Sequence, residues 1–247
     1  MEACALTDVG QKRSMNQDFI YARTEPIGSL ENLFIVADGM GGHQAGDFAS
    51  RFVVENLVRF FETPYPERDV HGILKEGIRR VNRELYERAC GAPELNGTGS
   101  TLVMATVKGN VLYVANIGDS RLYLLRGELE QITKDHSYVE ELVALGKLKR
   151  GSRDYLEQKN IITRAVGVSD EVDTDLFALK LKSGDQILMC SDGLSNMVDE
   201  LEIEYIIRSE DCVQARAKAL VDAANRSGGQ DNISVILIEP QISEVSL

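Results

Sequence analysis

The feature that most constrains this chain is a junction between an apolar run and an aspartate, repeated along the sequence. The clearest example is LFIVADGMGGHQAG at residues 33–46, where a run suited to a buried strand, Phe34 to Ala37, is followed by Asp38 and several glycines. Glycine has no side chain, so the backbone can approach another group closely there. We therefore expect a small, charged group to bind at the end of this strand.

Three further aspartates stand at similar junctions. Asp119 and Asp192 each follow an apolar run, and Asp231 stands just before the last one. A single Asp-Gly pair more often marks a turn. Carboxylates gathered at several strand ends, however, would repel one another unless a cation lay among them. Because the ligand atoms would be hard oxygens and the chain has only three histidines, the pattern favours Mg²⁺ or Mn²⁺ over Zn²⁺.

Length and composition narrow the class of protein. The 247 residues suffice for a substantial core, and no low-complexity segment divides them, which predicts one compact domain. The net charge of -12 argues against a nucleic-acid surface. No run reaches the roughly 18 apolar residues of a membrane span, and residues 1–9 lack the features of a secretion signal, so we expect a cytoplasmic protein. The scattered cysteines predict reduced, mostly buried thiols: Cys4, Cys90, Cys190 and Cys212.

Apolar periodicity separates strands from helices. Alternating and β-branched residues predict strands at residues 3–8, 18–23, 33–37, 100–108, 111–117, 121–125, 175–181, 185–190 and 232–238. Apolar residues spaced three and four apart predict helices at residues 44–61, 69–88, 201–208 and 212–226. Gly109 and Asn110 predict a tight hairpin. Since strands and helix pairs come in separate blocks, we predict an α+β fold with helices packed outside antiparallel sheets.

Eight short motifs, in order along the chain, resemble those of the PP2C-type (PPM family) metal-dependent protein serine/threonine phosphatases, in their bacterial branch. They are RSMNQD (13–18), VADGMGGHQAG (36–46), NGTGST (96–101), ANIGDSR (115–121), DHS (135–137), ITRAVG (162–167), CSDGLSNM (190–197) and GGQDN (228–232). The resemblance implies an αββα sandwich, two antiparallel sheets flanked by antiparallel helix pairs, with the metal centre at one end of the sheets. It also implies one phosphatase domain at residues 1–240, a flap insertion at about 137–160 and a C-terminal tail at 241–247.

The resemblance assigns roles to individual residues. The implied ligands of two central Mn²⁺ or Mg²⁺ ions are Asp38, Asp192, Asp231 and the carbonyl of Gly39. Asp18 is implied to meet a metal through water, and Asp119, together with Asp192, to hold a weaker third ion. Arg13 is implied to bind the phosphate of the substrate, for which its planar fork is better suited than lysine.

The implied reaction is hydrolysis of phosphoserine and phosphothreonine on proteins by a water or hydroxide that bridges the two ions. Three carboxylates and two divalent ions leave a charge of about +1 to attract the phosphate. Ions roughly 3.5 to 4 Å apart can activate a shared water for in-line displacement. The expected partners are phosphorylated proteins, with a serine/threonine kinase of the same cell as one candidate, and the protein is expected to be a monomer.

Three roles stay open in the sequence. Many family members have a histidine directly after the strand-end Asp-Gly, but this chain has Met40 there, so either His43 or a metal-bound water could protonate the leaving group. His136 is expected to be structural or to line the cleft. The flap is either a surface that meets phosphorylated partners or a solvated loop, and its basic residues are Lys147, Lys149, Arg150 and Arg153.

Other functions fit the sequence less well. No cysteine has the arginine spacing of a cysteine-based phosphatase, the DTDLF segment at 173–177 departs from the aspartyl-phosphatase pattern, and no GK[ST] follows the glycine-rich segment. The remaining alternative is a catalytically silent PP2C-fold module that binds a partner. Such a module would be expected to have lost metal-binding aspartates, and all of them are present here.

Overall fold

A computed structural model of the chain describes residues 1–42, 45–64, 69–209 and 211–242. Its strands are β1 (Glu2–Asp8), β2 (Asp18–Arg23), β3 (Leu33–Met40), β4 (Gly99–Ser100), β5 (Leu102–Lys108), β6 (Val111–Ile117), β7 (Arg121–Arg126), β8 (Glu128–Gln131), β9 (Asp175–Lys180), β10 (Gln186–Cys190) and β11 (Ile233–Glu239). Its α-helices are α1 (Ala45–Glu62), α2 (Val70–Gly91), α3 (Tyr138–Ala144), α4 (Arg153–Gln158), α5 (Asp192–Ser195), α6 (Glu200–Ile207) and α7 (Val213–Arg226). One 3-10 turn spans Pro93–Leu95.

The strands form two sheets. One has the order β1-β11-β10-β7-β8, and the other has the order β2-β3-β5-β6-β9 with β4 paired to β3. Every pairing between these strands is antiparallel. The predicted hairpin is confirmed, because Lys108 pairs with Val111 across Gly109 and Asn110. The predicted α+β fold with two antiparallel sheets is therefore confirmed.

The core has three layers, which explains the uninterrupted apolar run in β3. Phe34 and Val36 face the sheet that contains β10 and β11 and belong to one buried cluster with its Ile187 and Ile236. The alternate residues of β3 pack instead in a cluster with α1 and α2. On the other side of the molecule, α6 and α7 cover the outer face of β10 and β11. Both faces of β3 are therefore buried, and the two sheets lie between helices.

The structure corrects several boundaries. β3 continues beyond Asp38 because Gly39 and Met40 pair with Ser100 and Gly99, so Asp38 lies inside the strand rather than at its end. The strand β8 was not predicted, since four residues are too few for a clear alternation. The flap contains two short helices, α3 and α4, which begin at the serine caps Ser137 and Ser152.

The cysteines are free thiols, but the prediction that they are mostly buried is wrong. Cys190 is buried and Cys4 is partly buried, whereas Cys90 and Cys212 are exposed. Over the described ranges, the helices are too short or too polar to cross a membrane. The predicted domain limit at residue 240 stays a prediction, since most of the tail, residues 243–247, lies outside the described residues.

Candidate metal centre

Asp38 and Asp18 are neighbours because β2 and β3 pair antiparallel with these two residues in register. The backbone of Asp38 is fixed by Thr101 on both sides: the Asp38 amide donates to Thr101 Oγ1 at 2.9 Å, and the Asp38 carbonyl accepts from the Thr101 amide at 2.8 Å. Asp18 is 4% exposed. This edge of the first sheet therefore presents two carboxyl groups on a rigid backbone.

Asp192 and Asp231 are brought to the same place by the second sheet. Asp192 is the first residue of α5 and is separated from the end of β10 by Ser191 alone, and Asp231 lies two residues before the start of β11. Because β10 and β11 are antiparallel neighbours, the end of one strand and the start of the next lie at one edge. The Asn196 amide group also donates to Asp192 Oδ2 at 2.9 Å.

Two hydrogen bonds join these edges of the two sheets. The Ser191 hydroxyl donates to Asp18 Oδ2 at 2.7 Å, and the Gln17 amide donates to Asn232 Oδ1 at 2.8 Å. Ser191 and Asn232 were not predicted as site residues, although both stand inside motifs that the sequence presents. The acids of both sheets are thus held in one cluster, here called the acid cluster: Asp18, Asp38, Asp119, Asp192 and Asp231.

Burial and mutual repulsion raise the pKa values of most of these acids. Burial is the largest cause for Asp18 and Asp119, whose pKa values rise to about 7, and for Asp192, whose pKa rises to about 6. The pKa of Asp38 is also raised well above its ordinary value, by burial and then by the charges of the other four acids. Neighbouring carboxylates contribute in each case, so the cluster resists carrying its full negative charge.

Two oxygen atoms in the cluster have no partner within the protein. Asp18 Oδ1 and Asp192 Oδ1 are buried and accept no hydrogen bond. A buried oxygen without a partner is costly, and a divalent cation would satisfy it while removing the repulsion among the acids. The donor set consists of carboxylate oxygens, which Mg²⁺ and Mn²⁺ prefer. The residues therefore fit a hard divalent cation.

The acids do not by themselves form a finished ligand set. Within the described part of the chain, no three His, Cys, Asp or Glu side chains are arranged as a ready site for one ion. Asp231 is engaged elsewhere, since its Oδ2 accepts a hydrogen bond from Arg13 Nη2 at 2.7 Å. The individual ligand assignments of Asp38, Gly39, Asp192, Asp231, Asp18 and Asp119 thus stay predictions.

Arg13 lies at the open side of the acid cluster. Its side chain is 51% exposed, against 28% for that of Asp231. Its positive charge also lowers the pKa of Asp192, although burial of that acid outweighs this effect. Arg13 is therefore within reach of a group bound at the cluster, as a phosphate ligand must be.

Asp119 follows a turn that only glycine can make. Gly118 has φ +98°, and a Cβ there would lie 2.7 Å from the Thr101 side chain. The charge of Asp119 contributes to the raised pKa of Asp38, and the charge of Asp192 contributes to the raised pKa of Asp119. The structure therefore brings the predicted third-metal residue to the same cluster as the four other acids.

Residues 10–229 match the family model for protein phosphatase 2C. The chain belongs to the protein phosphatase 2C family. It is 38% identical over 256 residues to "Serine/threonine phosphatase stp" of Listeria monocytogenes, covering 99% of this chain and 98% of the relative. It is 39% identical over 242 residues to "Protein phosphatase PhpP" of Streptococcus pneumoniae, covering 96% of this chain and 97% of the relative. The family predicted from the motifs, and the enzyme class of protein serine/threonine phosphatase, are confirmed.

A solved structure adds a metal to this comparison. The catalytic domain of the serine/threonine protein phosphatase PstP, in complex with 2 manganese ions, superimposes with a TM-score of 0.83 at 36% identity, covering 96% of each chain. The agreement extends over nearly the whole sandwich. The acid cluster of this protein phosphatase 2C member therefore lies in a fold that binds manganese in a relative.

Beside the acid cluster, the flap forms one wall of a cleft of about 530 Å³. The flap contributes Tyr155, Leu156 and Lys159, and the opposite wall includes Asn196 and Met197. The basic residues singled out in the sequence are not among the lining residues. Arg150 instead forms an ion pair with Glu140, and Arg153 pairs with Glu157.

Lys159 is the flap residue that sequence reasoning missed. It lines the cleft together with Asp192, and burial lowers its pKa, although the charge of Asp192 acts in the opposite direction. No motif or periodicity marks this lysine in the sequence. Lys159 lies near Asp192 only because the folded flap packs beside the acid cluster.

The structure describes one of the two histidines for which the sequence predicted a role, His136, and not the other, His43. His43, one predicted proton donor, lies outside the described residues. His136 is only 7% exposed and is bonded to the backbone of Gly118. Its predicted structural role is therefore the one that its contacts support, since it is not among the residues that line the cleft.

Proposed function

We propose that this chain hydrolyses phosphoserine and phosphothreonine on proteins with a water or hydroxide held between two Mn²⁺ or Mg²⁺ ions. The observation that carries the proposal is the buried acid cluster, in which Asp18 and Asp192 each keep one oxygen without a partner. Two divalent ions in such a site lower the pKa of a shared water and stabilise the attacking and leaving oxygens. Membership of the protein phosphatase 2C family supports the phosphoprotein substrate.

In this proposal the acids have different roles, which follow from their positions. Asp38, Asp192, Asp231 and the carbonyl of Gly39 would hold the central ions, and Asp18 would act on them through a water. The Ser191 hydroxyl donates a 2.7 Å hydrogen bond to Asp18 Oδ2 and so fixes the direction of the Asp18 carboxylate. The raised pKa values of these acids mean that cation binding displaces protons from the cluster.

Arg13 supplies the phosphate contact in the same proposal. Its guanidinium is half exposed and lies beside the cluster, so it can exchange the carboxylate of Asp231 for the oxygens of a phosphate. A planar guanidinium donates two parallel hydrogen bonds to such a group. Arg13 would thereby orient the phosphoryl group for attack without taking part in proton transfer.

Asp119 is proposed to hold a third, weaker ion together with Asp192. The charges of the two carboxylates act on each other, and Asp119 stands at the side of the cluster that opens to the cleft. Phosphorylated proteins are the proposed substrates. A kinase of the same cell as a partner, a monomeric state and a cytoplasmic location stay predictions.

The direct test compares phosphopeptides that share one sequence and carry phosphoserine, phosphothreonine or phosphotyrosine. Phosphate release from the phosphoserine and phosphothreonine peptides should require Mn²⁺ or Mg²⁺ and stop when EDTA is added. Asp38→Asn should abolish release and the rise in melting temperature caused by Mn²⁺, whereas the control Asp47→Asn, at a partly exposed acid of α1 that pairs with Arg51, should change neither. Wild-type turnover in EDTA, or in Asp38→Asn, would contradict the proposal.

A further inference from the structure

His136 and Gly118 bind each other through two hydrogen bonds. The His136 amide donates to the Gly118 carbonyl at 2.9 Å, and the Gly118 amide donates to His136 Nδ1 at 3.1 Å. His136, 18 positions away in the chain, thus contacts both polar groups of Gly118, and the Gly118 carbonyl also accepts a longer hydrogen bond, of 3.4 Å, from Asn116 Nδ2. The imidazole is buried, since His136 is only 7% exposed.

These contacts fix which ring nitrogen of His136 carries the proton. Because Nδ1 accepts a hydrogen bond, the ring is neutral and its proton is on Nε2. His136 Nε2 lies 3.2 Å from Asp175 Oδ2, which is the acceptor for that proton, and also 3.2 Å from Arg164 Nη1, which cannot accept it. Arg164 Nη1 donates to Asp175 Oδ1 at 2.9 Å, so Asp175 is held in place from its other side. The imidazole is therefore oriented at both nitrogens.

Gly118 needs an external support of this kind. Its φ of +98° lies in a region that glycine enters and leaves readily, since it has no side chain to restrict its backbone. The orientation of the Gly118 peptide group sets where the next residue, Asp119, directs its carboxylate. A residue that holds the Gly118 peptide group can therefore orient Asp119 without touching its side chain.

The same histidine lies where the two ends of the flap meet. The Thr163 amide donates to the His136 carbonyl at 2.8 Å, and Ser137 forms an isolated β-bridge with Ile162. One residue therefore joins the flap at both of its ends to the turn that carries Asp119. This connection requires no contact between the flap helices and the acid cluster.

We propose that His136 is a positioning residue for Asp119, holding the Gly118 peptide group so that the carboxylate of Asp119 faces the acid cluster. The inference rests on the proposed function where it gives Asp119 a metal to bind. Groups that orient metal ligands from behind are worth about 10- to 100-fold in metal affinity or activity. The effect of losing His136 should fall in this range.

Two substitutions distinguish the contribution of His136 Nδ1 from that of Nε2. In His136→Asn the side-chain oxygen can take the place of Nδ1 and accept from the Gly118 amide, whereas the longer side chain of His136→Gln places its polar atoms near the position of Nε2. His136→Ala has neither group. We expect turnover on p-nitrophenyl phosphate to fall about 10-fold or more in the alanine and glutamine variants, and the asparagine variant to recover most of it. The Mn²⁺ concentration for half-maximal activity should rise in parallel, with KM for the phosphate ester nearly unchanged.

A second readout does not depend on activity. In protein treated with EDTA, the Gly118 amide should be protected from hydrogen exchange in the wild type and in His136→Asn, and should exchange faster in His136→Ala. Calorimetry with Mn²⁺ should then show the weakest binding step lost or weakened in the alanine variant, with the tighter steps retained.

Three results would overturn the inference. One is a His136→Ala protein with a lower melting temperature but with wild-type turnover and Mn²⁺ response of its folded fraction. Another is equal rescue by glutamine and asparagine. The third is a silent Asp119→Ala beside an impaired His136→Ala, which would mean that His136 does not act through Asp119. A wild type with no phosphatase activity would instead overturn the proposed function, while exchange of the Gly118 amide would still test the contact itself.

Discussion

Arg13 Nη2 donates a 2.7 Å hydrogen bond to Asp231 Oδ2, across 218 positions of the chain. The pair joins the residue proposed to bind phosphate to an acid proposed to bind metal. A cation at Asp231 competes with Arg13 for the same carboxylate, so metal binding would release the guanidinium toward the substrate. The Arg13–Asp231 hydrogen bond would therefore couple metal binding to phosphate binding.

Arg13→Ala should lower kcat/KM on a phosphopeptide by about 1.5 to 3 kcal/mol, the range for hydrogen bonds to charged groups. Affinity for Mn²⁺ should be unchanged or slightly higher, because a positive neighbour of Asp231 is lost. Arg13→Lys should recover only part of the activity, since lysine cannot form the planar fork. Steady-state kinetics and calorimetry measure the two effects. The adjacent Lys12→Ala is the control, and a kinetically silent Arg13→Ala would remove Arg13 from the site.

Divalent cations should stabilise the folded protein. Ions that bind only the native acid cluster raise its stability by mass action, by about 2.7 kcal/mol at a free concentration of one hundred times Kd. The melting temperature should therefore rise steadily along a Mn²⁺ titration and fall again when EDTA is added. Asp192→Asn should flatten this response. A flat wild-type titration would argue against a cation site among these acids.

The pH dependence of stability in EDTA follows from the raised pKa values. Asp18 and Asp119 titrate at about 7 and Asp192 at about 6 in the folded protein, whereas an unfolded aspartate titrates at about 4. Between these pH values the folded state holds more protons, so its free energy of unfolding should decrease as pH rises from about 4 through about 7. Urea unfolding between pH 5.5 and 8 measures this slope.

Two comparisons make the pH experiment specific to the acid cluster. Acids with lowered pKa values, such as Asp175 and Glu140, favour the opposite slope but act only below about pH 4.5, outside the measured range. His136, whose pKa is lowered chiefly by burial, favours the opposite slope up to about pH 6.5, so the acids should dominate the slope above that pH. Asp18→Asn should reduce the slope, because one of the protonating groups is gone. Saturating Mn²⁺ should reverse the slope, since the cation binds the ionised acids. Stability that increases with pH in EDTA would contradict the assignment.

Asp119→Ala should affect the proposed third ion and leave the two central ions in place. An ion with fewer protein ligands keeps more water and binds more weakly. The variant should therefore keep two tight Mn²⁺ sites in calorimetry while its turnover falls strongly at Mn²⁺ concentrations that saturate them. If Asp119 only supports its turn, alanine should lower the melting temperature and spare the turnover of the folded fraction. Unchanged turnover and unchanged stoichiometry together would exclude Asp119 from the mechanism.

Gly39→Ala tests why a glycine follows Asp38. A Cβ at this position would lie 1.9 Å from the Gly46 carbonyl oxygen, so α1 and β3 would have to separate. We expect a loss of about 1 to 3 kcal/mol of stability, the usual cost of overpacking, together with weaker Mn²⁺ binding. Gly91→Ala is the matched control, since a Cβ there has open space. Urea unfolding that does not distinguish the two variants would argue against close packing at Gly39.

The sequence by itself determined the elements and the acids. Most strands, the four long helices and the hairpin at Gly109 follow from local periodicity and turn chemistry, which depend on residues close together in the chain. The same local patterns marked Asp38, Asp119, Asp192 and Asp231. Elements that local patterns specify weakly were missed: β8 has four residues, and α3 and α4 have seven and six. Helices this short depend on caps and packing rather than on propensity.

Only the tertiary structure decided how the acids meet and what surrounds them. Ser191 reaches Asp18 from 173 positions away, and Lys159 lines the cleft beside Asp192 without any signal in the sequence. The raised pKa values likewise arise from burial and from charges on other strands, and no single segment contains either. These contacts depend on how two sheets pack face to face. Periodicity within one strand specifies which side chains are buried, but it does not specify which distant strand they meet.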